Sequence, residues 1–131
     1  MKFSVKAVVF ALMALLVGCA APTQTNGVVD RDELNVDPEV RYAITVTELF
    51  QEQIRQPDGT SILQVQFAVE VLNDANLAWK VDWFNSEGMK VKGVGEGYRT
   101  ASVLAGQNRY FKATAPHPRV VSYQIHIREP K

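Results

Sequence analysis

Beyond residue 40 the apolar residues recur at every second position, in short runs separated by turn formers. That is the period of a strand with one buried face. In LQVQFAVEV, Leu63, Val65, Phe67, Val69 and Val71 are expected to face a core, and Gln64, Gln66, Ala68 and Glu70 to face away. A slip of one residue would bury two glutamines and a glutamate, so the register is well specified. LAWKVDWF repeats the pattern, with Leu77, Trp79, Val81 and Trp83 inward and Lys80, Asp82 and Phe84 outward. NSEG at residues 85–88 turns the chain into a strand over 89–94, and AGQ around Gly106 separates strands at 98–104 and 108–114. APHPR then leads into a last strand with Val121, Tyr123, Ile125 and Ile127 inward. ITVTELFQEQIRQ also fits a helical stripe through Val46, Leu49, Phe50 and Ile54, but its β-rich start and the PDGT turn after it predict one arm of a hairpin. About seven short antiparallel strands, two tryptophans in the third run, predict an all-β fold, an immunoglobulin-like antiparallel β-sandwich.

Residues 20–39, AAPTQTNGVVDRDELNVDPE, lack this pattern and set five acidic residues against Arg31 alone. Such a stretch buries too little to fold and reads as a tether, spanning about 25 Å on average as a flexible coil. At the start of the chain Lys2 and Lys6 precede an uncharged run from Ala7 to Val17, the charged and apolar regions of a secretory signal. The run is too short for a membrane-spanning helix, which needs roughly 20 residues.

It ends in Leu16-Val17-Gly18-Cys19, which resembles the lipobox of bacterial lipoproteins. That resemblance implies a diacylglycerol on the Cys19 sulfur, cleavage before it and acylation of the new amino terminus. Cys19 is the only cysteine, so it has no partner for a disulfide within the chain. Each buried methylene of an acyl chain contributes about 0.8 kcal/mol, so several chains together anchor stably. Ala20 stands where inner-membrane retention usually shows Asp, which implies sorting to the outer membrane with the domain facing the periplasm. The expected organisation is a signal peptide at 1–18, a lipidated cysteine and tether at 19–39, and the sandwich at 40–131.

Charge narrows the partners. The chain carries 14 basic and 14 acidic residues, and removing Lys2 and Lys6 with the signal leaves it about neutral. Neither nucleic acid nor a polybasic contact with a membrane surface is expected. His117 and His126 have no ligand spacing around them, no G-x-S-x-G occurs, and KGVGEGY misses the G-x-G-x-x-G spacing by one residue. Asp82 and Glu70 sit among surface charges and do not read as an acid/base pair. No enzymatic activity, metal or cofactor is expected.

What remains is a surface. If the third, penultimate and last strands share one sheet, Lys80, Asp82, Phe84, Tyr110, Lys112, Gln124, His126 and Arg128 all project from it. Aromatic and arginine residues on a polar sheet are what binding faces are enriched in.

The runs LQVQFAVEVLND, WKVDWFNSEGMKV, LAGQNRYFKATAP and SYQIHIR, in this order, resemble the YcfL-like lipoproteins, a bacterial family built around a domain of unknown function. The likeness covers about residues 60–128 and the lipobox, and departs at Tyr98, where relatives commonly carry tryptophan. It implies an immunoglobulin-like fold and no established enzyme activity. The expected function is a non-catalytic binding module tethered to the membrane through Cys19, with an envelope protein or cell-wall component as partner. The alternative is a structural or accessory subunit that stabilises an envelope complex without a ligand site.

Overall fold

The computed structural model describes residues 29–93 and 97–131, so the signal segment, Cys19, the start of the expected tether and Gly95 lie outside the described residues. Eight strands follow in order: β1 Leu34–Val36, β2 Ile44–Arg55, β3 Ser61–Val71, β4 Ala75–Phe84, β5 Lys90–Val91, β6 Arg99–Val103, β7 Asn108–Thr114 and β8 Ser122–Arg128. One sheet is β2-β3-β7, and the other is β1-β8-β4-β5, with β6 pairing β4 beyond β5. The alternation read from the sequence holds the two together. Leu63, Val65, Phe67, Val69 and Val71 on β3 and Leu77, Trp79 and Trp83 on β4 are all buried. Trp79 crosses the interior to meet Phe67 edge-on at 5.4 Å and Phe111 of β7 at 5.3 Å. Such aromatic pairs add about 0.5–1.5 kcal/mol each beyond the area they bury.

The ITVTELFQEQIRQ segment is a strand, paired with β3 along Ile44–Arg55. The PDGT turn closes this hairpin because Gly59 takes φ +89° and Asp58 Oδ1 accepts hydrogen bonds from the Thr60 N–H and hydroxyl.

Two facing assignments change. Ala68, expected outward, is buried, because its methyl group stands between Glu48 and Tyr110 on the neighbouring strands. Val121, expected inward, is exposed, and Val120 is buried instead. Here the turn that bonds the Val120 N–H to the His117 carbonyl continues to the edge of β8, so the strand alternation starts only at Tyr123.

Ordered structure begins earlier than the expected boundary at residue 40. Residues 34–36 form β1, parallel to β8, with Leu34 opposite Ile125 and Val36 opposite Ile127. The Ile125 N–H donates to the Glu33 carbonyl at 2.7 Å and the Asp37 N–H to the Ile127 carbonyl at 2.9 Å. Leu34 and Val36 pack on the core, and Val40, in a turn of 3₁₀ helix at Pro38–Val40, is fully buried. The folded domain therefore includes residues 34–39, which the boundary at 40 left out.

This strand also explains the sheet order. In an immunoglobulin sandwich the strand C stands beside F, and F beside a terminal strand G. Here β4 stands in the place of C and β8 in that of F, while β1, from the opposite end of the chain, fills the place of G. The penultimate strand, β7, consequently falls in the place of E, in the other sheet.

Candidate functional site

Six of the eight residues expected on one face do share it. Lys80, Asp82 and Phe84 on β4 stand opposite His126, Gln124 and Ser122 on β8, and Arg128 stands opposite Ala78. Tyr110 and Lys112 do not join them. They lie on β7, paired with Ala68 and Gln66, and so belong to the opposite face of the molecule. The expectation that the last two strands are neighbours failed because β1 occupies the edge beside β8, while β7 pairs with β3 in the other sheet.

At the centre of the face is Asp82, with three basic partners. Its Oδ1 lies 3.2 Å from Lys90 Nζ, and its Oδ2 lies 3.4 Å from Lys80 Nζ and 3.1 Å from His126 Nε2. The His126 N–H is not aimed at the carboxylate, so that contact is a close approach rather than a hydrogen bond. Burial pushes the Asp82 carboxyl upward, but the hydrogen bond from Lys90 and the charges of Lys80, Lys90 and His126 outweigh it, and the net shift is below the ordinary aspartate value.

Beside this group the Tyr98 ring is contacted by two cations. The Arg128 guanidinium stacks 3.6 Å from its centroid and Lys80 Nζ sits 5.1 Å away. The face is thus a cationic patch with one neutralising carboxylate, held in place by stacking. Tyr98, Lys90 and their roles were not visible in the alternation. Both lie outside β4 and β8, and only the sheet pairing brings them there.

A second feature lies where β5 and β6 diverge along β4. β5 pairs residues 83 and 84, β6 pairs residues 75–79, and a cleft of about 370 Å³ opens between them and the β7–β8 loop. Its apolar floor is Trp79, Val81, Trp83, Val91 and Ala113, and its rim carries Lys92, Arg99, His117 and Arg119. Arg99 is held 5.1 Å from the Trp79 ring centroid. His117 Nδ1 accepts the Arg119 N–H at 3.1 Å, which leaves the proton of the neutral ring on Nε2. One end of the cleft is closed where Gly93 meets Pro116. A Cβ on Gly93 would stand 2.3 Å from the Pro116 Cβ, so the two loops clasp only because residue 93 is glycine.

The sequence reading missed the cleft. Its signal was the distribution of charge: residues 29–74 hold ten acidic and three basic residues, residues 75–128 eight basic and three acidic. A net charge summed over the chain conceals this division.

Fold and surface together define a class, the small immunoglobulin-like sandwich whose edge is completed by its own N-terminal strand. Within it, the chain belongs to the family described as protein of unknown function DUF1425, whose model matches residues 34–129. The match starts at the first residue of β1. Two crystal structures share the fold. Cj0090 of Campylobacter jejuni is 17% identical with a TM-score of 0.61, over 76% of this chain and 100% of that one. A DUF1425 family member from Shewanella sp. pv-4 is 16% identical with a TM-score of 0.56, over 80% of this chain and 97% of that one. No curated protein matches the chain.

Proposed function

We propose that this protein is a YcfL-like lipoprotein of the bacterial envelope, acylated at Cys19 and held at the periplasmic side of the outer membrane. It acts as a non-catalytic binding module for a protein partner or cell-wall component. The observation that carries the reading is the stack of Lys80, Tyr98 and Arg128 beside the Asp82 cluster. These side chains are ordered before any partner arrives, so binding forfeits little rotamer freedom. An arginine stacked on an aromatic ring still presents its donors for a planar acceptor.

The test uses the opposed faces. A photocrosslinker is placed at Phe84 or at Tyr110 in the membrane-anchored chain in intact cells. One abundant adduct from Phe84, absent from Tyr110 and lost when Arg128→Ala is added, supports the module. Scattered adducts from both positions favour the accessory-subunit alternative.

A further inference from the structure

We propose that the cleft between the β4 edge and the β7–β8 loop is a binding site for an amphiphilic anion, a small molecule with an apolar body and a carboxylate or phosphate head. This site adjoins the partner face, with Lys80 on the border of both, but it does not depend on that reading. Three observations converge. The first is size, since about 370 Å³ lies within the range of ligand pockets, roughly 300–1,000 Å³. The second is the division of the lining into an apolar floor around Trp79, Val81 and Trp83 and a rim of Lys92, Arg99 and Arg119, with no carboxylate among the described lining residues. The third is preorganisation: Arg99 is fixed over the Trp79 ring, and the Gly93–Pro116 clasp sets the distance between the loops.

Neither half of this lining is satisfied by a one-sided ligand. A neutral hydrocarbon on the floor would draw the rim cations away from water without giving them a counter-charge. A bare inorganic anion would meet the rim and leave the floor wet. A molecule with both parts places its head between Arg99 and Arg119, where charge-assisted hydrogen bonds are strong, and its body on the indoles.

The chain has only two tryptophans, Trp79 and Trp83, and both line the floor, so tryptophan emission, excited selectively over the four tyrosines, reports on this site. The whole chain carrying Cys19→Ser, which needs no detergent for an acyl anchor, is titrated with monomeric decanoate and decyl phosphate. Decanol and inorganic phosphate serve as the two half-ligands. The expected result is a saturable one-to-one shift in emission with at least one of the amphiphilic anions, and at least tenfold weaker binding of both half-ligands. Arg99→Gln with Arg119→Gln should weaken the amphiphile at least tenfold. The pair Lys92→Gln with Arg119→Gln, whose residues lie in exposed loops, covers the case in which loss of the Arg99–Trp79 stack unfolds the domain. A saturable shift with phosphatidylglycerol vesicles as well would assign the source to membrane lipid, and a shift with the monomers alone to a soluble amphiphile. Decanol binding as tightly as decanoate, unchanged binding by folded charge variants, or no saturable shift with either anion would overturn the proposal.

Discussion

Trp83 shows how one side chain serves both core and surface. Its ring is almost wholly buried, lies 6.4 Å from the Tyr123 ring and contributes to the floor of the cleft. Trp83→Ala should therefore cost about 3–5 kcal/mol by chemical denaturation, a large share of the roughly 5–15 kcal/mol of an ordinary domain. A midpoint that did not move would mean the β4 register is misplaced. Asp82 predicts a pH dependence. Its folded pKa lies below its ordinary value of 3.8, so its contribution is complete above about pH 5 and is lost as the pH falls through the folded value. Asp82→Asn should remove that part of the acid limb, seen as a flatter stability profile below pH 4. At neutral pH it should destabilise, because Lys80 and Lys90 lose their shared counter-charge. An acid limb identical to that of the parent protein would show that Asp82 is not the group titrating there.

Among the elements, those with a two-residue period were legible in the sequence and those defined by long-range pairing were not. β3 and β4 are long, alternate cleanly and keep their inward residues with few exceptions. β1 is three residues in an acidic stretch, too short for periodicity to show, and its identity depends on β8, some ninety residues away. The candidate face was readable as far as β4 and β8 carry it, and it failed at Tyr110 and Lys112 because strand order is not written in alternation. Leu34→Asp tests β1 directly. It places a charge on a half-buried apolar position against the core and should cost about 2 kcal/mol by denaturant titration, several times what an exposed site costs. A loss below about 0.5 kcal/mol would show that the sandwich holds without this strand.

For the whole molecule, the chain divides into an acidic first part and a basic second part, and the two features argued to bind both draw their cations from the second. Attachment is tested by Cys19→Ser in cells. The variant should lack the acyl mass shift and leave the membrane fraction, as read by mass spectrometry and fractionation. Membrane retention without any acyl mass in the parent protein would end the lipoprotein reading. The parallel pairing of β1 with β8 then acquires a mechanical meaning. A pull on the N-terminus draws β1 toward its own start, while a load at the C-terminus draws β8 toward its end. In parallel neighbours these displacements slide one strand along the other, so the hydrogen bonds from Glu33 to Ile127 strain together instead of opening one by one. Had the edge strand been antiparallel, the same pull would unzip it from one end. The strand completing the sheet therefore also makes the domain stiff along the axis on which the proposed anchor at Cys19 would drag it.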